Sequence, residues 1–183
     1  MIDSQLRTSG VTAPFVVVRM GAVAREDFVP AKATDYAYID RAIALGEGKW
    51  LAAPLVHGMM LQKADPAGDE AALLVDGGSG YLAELLRPLV GSLEVISPEQ
   101  ALEKSRARKK ASLLLVDGAA DQLPETLLAR LDDGARIVTG TVEGSVTGLS
   151  HGRCTGKQAA LVRFAEIGVP RLAAFDAPKG WSF

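Results

Sequence analysis

From residue 71 the chain settles into a rhythm of short apolar run, turn, and apolar residues at helical spacing, and this pattern limits the available folds more than any other feature. The apolar runs are Ala71–Val75, Leu93–Ile96, Leu113–Val116 and Ala135–Val142. They read as continuous rather than alternating, as parallel strands covered on both faces do. Helices are expected over Tyr81–Leu89, Pro98–Lys109 and Pro124–Leu131. Strand alternating with helix implies right-handed crossovers and an α/β fold with an open, doubly wound sheet. Ser97 and Gln100 form a capping box around Pro98, which marks one helix start. Glu99 and Glu103 lie early in that helix, and Arg106, Arg108, Lys109 and Lys110 late, an order that complements the helix dipole. Two last strands, about Ser145–Leu149 and Ala159–Phe164, are expected to pair as a C-terminal antiparallel hairpin through the glycine-rich Gly148–Gly156.

Residues 1–65 read differently, as an N-terminal helical segment packed on the rest. Thr12 is the expected cap of a first helix, with Pro14 in its first turn, where a missing N–H costs nothing. Phe28-Val29-Pro30 and Asp35–Asp40 read as loop or short turns, and a second helix as about Ala53–Lys63, opened by Pro54. At 183 residues and about 150 per domain, one domain over 1–183 is expected. The 20 basic and 22 acidic side chains leave a net charge of −2, which supplies no general drive toward nucleic acid or an anionic membrane. Cys154 is the single cysteine, so a disulfide framework and a multi-cysteine zinc site are excluded. With no apolar signal segment and no run near ~20 apolar residues, a cytoplasmic location is expected.

Ligands of doubly wound sheets bind beyond the carboxyl ends of the strands, at the topological switch point. That directs attention to Asp76–Gly80, Ser97–Glu99 and Asp117–Ala120. Asp76-Gly77-Gly78-Ser79-Gly80 lets backbone N–H groups approach a ligand closely; a tight turn with no ligand is the competing reading. It is not a dinucleotide fingerprint, because Asp76 and Tyr81 stand where that pattern needs glycine. Gly152-Arg153-Cys154-Thr155-Gly156-Lys157 is one residue short of a P-loop and reads as a hairpin loop. His151 and Cys154 are too few to close a zinc site. His57 reads as a packed or partly exposed histidine, and Lys104–Lys110 as a solvated helix end.

Val75, Gly78, Ser79, Gly80 and Tyr81 resemble the first motif of S-adenosylmethionine-dependent methyltransferases. The flanks narrow the resemblance to bacterial protein-L-isoaspartate O-methyltransferases: Gln5-Leu6-Arg7, Val11, Met20, Arg25-Glu26, Phe28-Val29-Pro30 and Leu51-Ala52-Ala53-Pro54-Leu55-Val56 are similar to their N-terminal segments. Leu115-Val116-Asp117-Gly118-Ala119, Leu123-Pro124 and Phe175-Asp176-Ala177…Gly180…Phe183 extend the likeness nearly end to end. The resemblance implies a Rossmann-like methyltransferase sheet and S-adenosylmethionine as cofactor. It places cofactor contacts at Asp76, Gly77, Gly78, Ser79, Gly80, Ser97, Glu99 and Asp117. An isoaspartyl carboxylate of a protein or peptide substrate would attack the methyl group; being ionised at pH 7 it needs little base catalysis, and the enzyme supplies alignment and exclusion of water.

Several positions depart from the family pattern. Leu74 stands where an acid is usual, and Asp76 replaces the first glycine. Ser97 falls where an acid usually holds the ribose, with Glu99 as substitute, and Ala52 replaces the hydroxyl residue near methyl transfer. Only Ser97–Ala111 separates the second strand from the third, so a helix and a strand of the family are missing there. The sheet should therefore lack one edge strand, leaving Leu93–Ile96 at the edge and the adenine side open. A homodimer built on that edge is the alternative to a monomer. The expectation is a family member with weakened or lost cofactor binding and activity, set against an active isoaspartyl methyltransferase of protein repair; no metal is expected.

Overall fold

The N-terminal residues fold into a cover for one face of a sheet. In the computed structural model, which describes residues 1–105 and 109–177, Pro14 opens helix α1 (Pro14–Ala22). Ala13, not Thr12, flanks its start. The N–H groups of Thr12 and Ala13 donate to Gln62 Oε1 at 2.8 and 2.9 Å, which ties the chain ahead of α1 to a side chain from a different helix; α1 itself has no side-chain cap, so the cap expected from Thr12 is not formed. Short 3-10 turns follow at Arg25–Phe28 and Ala31–Tyr36.

The expectation of a helical segment up to residue 65 is corrected at its centre. Strands β1 (Ile43–Gly46) and β2 (Lys49–Leu51) form an antiparallel hairpin. Gly46, Glu47 and Gly48 all take positive φ, at 101°, 52° and 75°, a turn geometry that fits the twist of hairpin strands and that glycine adopts freely. Alternation then sends Ile43 and Leu51 into the core and leaves Trp50 partly exposed. Helix α2 (Pro54–Ala64) starts at Pro54, as expected, and ends on Asp65 in the left-handed conformation.

Beyond it lie β3 (Ala71–Val75), α3 (Tyr81–Leu86, continued as a 3-10 turn to Leu89), β4 (Ser92–Ile96) and the one-turn α4 (Pro98–Ala101). They are followed by β5 (Ala111–Ala120), α5 (Glu125–Leu128), β6 (Leu131–Glu143), β7 (Val146–Thr155) and β8 (Gln158–Ala165). The strands stand in the order β4-β3-β5-β6-β7-β8. The first four are mutually parallel, and β7 and β8 return antiparallel. Gly148–Gly156, expected as a connecting loop, lies almost wholly within β7, and the hairpin turn is only Gly156 and Lys157. Gly152 is needed there by close packing: a Cβ would lie 1.7 Å from the Ala160 carbonyl oxygen. The P-loop-like string is thus mostly strand.

The capping box at Ser97 and Gln100 is present, but the helix it opens ends at Ala101 rather than running to Lys109; residues 106–108 of that expectation lie outside the described residues. Ala72 and Leu74 face α1, α2 and α3, in a core with Leu113, Leu115, Leu82 and Leu85. Leu73 and Val75 face the other way, with Leu114, Val116, Ala101 and Leu127. Helices α3 and α4 therefore lie on opposite faces, so the chain crosses back directly after β4. This leaves β4 at the sheet edge with Val95 exposed, as the short Ser97–Ala111 interval requires. No helix among the described residues is long and apolar enough to cross a membrane.

Candidate cofactor site at the glycine turn

Strand β3 continues to β4 on one side and the chain returns to β5 on the other, so the switch point lies at the carboxyl end of β3. Gly77 occupies it because nothing larger fits: a Cβ there would stand 2.2 Å from the Asp117 carbonyl oxygen. Gly78 has φ +104°, and the Lys49 stem lies over it, 2.6–2.9 Å from where a Cβ would be. The β1–β2 hairpin thus roofs the turn. Strand alternation points Lys49 into a cavity of about 510 Å³ with Asp76, Gly77, Gly78, Ser97 and Glu99. Trp50, one residue on, lines a second, more apolar cavity of about 730 Å³ with Ala53, Met59, Ile167 and Val169. Arg171 borders both cavities; its guanidinium pairs with Asp121 at 3.1 Å and Asp176 at 2.8 Å.

The geometry within the turn belongs to Asp76. Its carboxylate accepts the N–H groups of Gly78 and Gly80, each at 3.0 Å. The side chain has folded into the space that the turn's amides surround, so the chain supplies its own anion to its own anion-binding turn. Burial, then the nearby Asp117 charge, pushes the Asp76 carboxyl above its ordinary range, against the lowering effect of those two amides. Ser79 Oγ accepts the Tyr81 N–H at 3.2 Å, closing the turn ahead of α3. On the opposite wall, Ser97 Oγ donates to Glu99 at 2.7 Å, which holds the exposed Glu99 carboxyl below its ordinary range.

Five of the expected contact residues, Asp76, Gly77, Gly78, Ser97 and Glu99, line the cavity. Ser79 and Gly80 shape the turn from outside that lining, and Asp117 lies behind it, 4% exposed. Asp117 Oδ1 accepts His57 Nε2 at 3.0 Å, and both side chains are buried. His57 is therefore fully packed, without the partial exposure held open from the sequence. On its other side, Arg25 Nη1 lies 3.5 Å from His57 Nδ1. A hydrogen on Nε2 directed at Asp117 and an Nδ1 lone pair directed at Arg25 suit both partners, since a carboxylate accepts and a guanidinium only donates. Arg25 also donates to Ala37 O at 2.9 Å and Ala52 O at 2.8 Å, and sits 4.9 Å from the Tyr81 ring centroid. Burial, partly offset by Arg25, pushes the Tyr81 hydroxyl up to about 12. This Arg25–His57–Asp117 chain lines neither cavity; it ties the N-terminal cover and α2 to the floor of the turn. Ala52, at the family's hydroxyl position, is itself buried, and Ala53 faces the apolar cavity.

Sequence reasoning missed Lys49 and Arg171. The string Gly46-Glu47-Gly48 was the available signal for the hairpin that brings Lys49 here; nothing local to Arg171 announced its place. His151 packs its ring against Phe164 and Cys154 is buried beside the Leu128 carbonyl; among the described residues no group of three His, Cys, Asp or Glu could hold a metal ion.

A pH test follows from Asp76. A carboxyl whose folded pKa lies above its unfolded one makes its stabilising contribution in full below the unfolded value, near 3.8, and loses it as pH rises through the folded value. Asp76→Asn carries no such dependence. Urea unfolding at stepped pH should show the variant gaining on the parent as pH rises from about 4, then a constant difference above the folded pKa. A difference independent of pH would contradict the assigned direction.

The sheet order and glycine turn are those of Rossmann-like methyltransferases. A Plasmodium falciparum protein assigned as a protein-L-isoaspartate O-methyltransferase, solved in complex with S-adenosyl-L-homocysteine, has a TM-score of 0.69 at 16% identity, over 92% of this chain and 95% of its own. A second solved protein-L-isoaspartate O-methyltransferase gives 0.74 at 13% identity, over 92% of this chain and 63% of its own.

The chain belongs to the protein-L-isoaspartate O-methyltransferase family: the sequence pattern of protein-L-isoaspartate(D-aspartate) O-methyltransferases matches residues 1–112. A protein-L-isoaspartate O-methyltransferase of Pelotomaculum thermopropionicum is 28% identical over 75% of this chain and 71% of its own length, and one from Aeropyrum pernix 36% over 73% and 63%. The Desulfosudis oleivorans relative aligns over 205 residues at 24% identity, covering 99% of this chain and 91% of its own. That alignment exceeds the 183 residues here, so the relative carries residues this chain lacks.

Proposed function

We propose that this chain is a protein-L-isoaspartate O-methyltransferase-like protein in which binding of S-adenosylmethionine is weakened and methyl transfer is lost or slow. One observation carries the reading: the Asp76 carboxylate occupies the Gly78 and Gly80 amides. In the family's arrangement the glycine turn faces the methionine end of the cofactor, whose carboxylate would meet both a filled set of donors and a like charge. The fit is better at the other wall, where Ser97 and Glu99 offer oxygen atoms to ribose hydroxyls, but β4 is the sheet edge and among the described residues no further strand lies beyond it on the adenine side. When bound, the cofactor would supply a methyl group on a sulfonium. The chain's own residues would hold and orient it, and the apolar cavity beside Ala53 would receive an isoaspartyl protein or peptide segment.

The second reading is an active enzyme of protein repair. It is favoured by Glu99 lining the same cavity as the glycine turn and by the names of the relatives. Calorimetric titration with S-adenosylmethionine and S-adenosylhomocysteine separates the two. The expected dissociation constants lie near millimolar, about 4 kcal/mol in binding free energy, with no methylation of an isoaspartyl peptide. Low-micromolar binding together with methyl transfer would establish the active enzyme instead. The exposed edge of β4 supports a homodimer as a further proposal, which sedimentation showing only monomer at high concentration would remove.

A further inference from the structure

The crossover from β4 to β5 is short, and it delivers a concentration of positive charge to the end of the sheet opposite the glycine turn. Lys104, Lys109 and Lys110 precede the start of β5. Arg130 precedes the start of β6, where its carbonyl accepts the Ala111 N–H at 3.0 Å, and Lys157 sits in the β7–β8 turn. Because β5 and β6 are parallel and β7 antiparallel to β6, these three places meet at the amino ends of the strands. There they line a hollow of about 380 Å³, within the size range of small-ligand pockets.

Five cations line it against one carboxylate, Glu125. Among the described residues none of the four lysine ammoniums is ion-paired. Arg130 is the fixed member, with its side chain 10% exposed. Its Nη2 donates to the carbonyls of Gln100 at 2.7 Å and Glu103 at 3.3 Å, and its Nη1 lies 3.5 Å from Glu94. Its Nε is buried with no acceptor among the described residues. Holding like charges together is costly; an anion in the hollow relieves it.

We propose that this hollow binds a small phosphate-bearing anion, recognised through a chain of phosphoryl groups, as in polyphosphate or a nucleoside triphosphate. Lysines act as point charges around phosphate oxygens and the arginine as the fixed donor. The site is separate from the glycine turn, so its ligand and S-adenosylhomocysteine should not compete.

The test is calorimetry of the full chain with sodium tripolyphosphate at low ionic strength. One site per chain is expected, with a dissociation constant below about 1 mM, weakening steeply with added salt. The triple variant Lys104→Gln, Lys110→Gln, Lys157→Gln alters only exposed side chains and should keep the parent's melting temperature while losing at least about tenfold in affinity. Glu125→Gln should bind several-fold more tightly, an effect that general loss of folding would not produce. ATP and tripolyphosphate run side by side distinguish the sources: equal affinity assigns recognition to the phosphate chain alone, and tighter ATP binding assigns a nucleotide. The proposal is overturned by absence of binding at millimolar tripolyphosphate, by affinity unchanged in the triple variant, by competition with S-adenosylhomocysteine, or by preference for a short single-stranded RNA.

Discussion

Arg25→Met is expected to destabilise the protein by about 3–5 kcal/mol, the range for removing one member of a buried ionic network. The guanidinium is wholly buried and is the donor to Ala37 O and Ala52 O. Methionine fills part of the volume and supplies no N–H. Two buried carbonyls then lose a partner, each an expense of about 1–3 kcal/mol, and the His57–Asp117 pair loses its neighbouring cation. For a chain of this length the change should lower Tm by roughly 6–20 °C, read by thermal unfolding in circular dichroism. Arg25→Lys keeps the charge but not the planar fork and should fall between the two. A Tm within about 2 °C of the parent for Arg25→Met would mean that the network does not hold the N-terminal cover to the glycine turn.

Asp76→Gly should tighten S-adenosylhomocysteine by about tenfold, or 1.4 kcal/mol, without restoring methyl transfer. The substitution returns the Gly78 and Gly80 amides to an incoming carboxylate and removes a charge. At 4 Å and an effective dielectric of 20 that charge repels another by as much as ~4 kcal/mol, part of which the ligand's own ammonium offsets. The other departures of the proposed reading are untouched: Ala52 is buried and has no hydroxyl, and β4 remains an edge. Adding Ala52→Ser should therefore yield little activity until the missing helix and strand are rebuilt. Calorimetry measures the affinity and isoaspartyl peptide methylation the turnover. Unchanged affinity in Asp76→Gly would remove Asp76 as the cause of the weak binding proposed above; full turnover in the double variant would remove the open edge as an obstacle.

What the sequence determined by itself was local or periodic. Continuous apolar runs marked β3 and β5 because strands covered on both faces have no polar side to alternate with; β4 was marked by its run alone and is mostly exposed at the edge. Pro54 and the Ser97–Gln100 box marked helix starts because their chemistry acts within one turn. The short Ser97–Ala111 interval placed β4 at the edge because no room remained for another strand. The tertiary structure decided whatever depends on partners distant in the chain. Thr12 does not cap α1 because the helix starts one residue later, from Ala13, and the Thr12 and Ala13 N–H groups are held by Gln62 of α2. The expected helix after Ser97 stopped at Ala101, beyond what its capping box could specify. Gly152 became strand because it pairs with Ile137 on one side and Leu161 on the other, and it is glycine because the Ala160 carbonyl leaves no space for a side chain. In the same way, Asp76 read from sequence was only a substitution in a glycine motif; folding turned it into the occupant of that motif. Arg25, His57 and Asp117, the first and last 92 positions apart in the sequence, became one buried chain because charged and polar groups removed from water are held by partners in the interior.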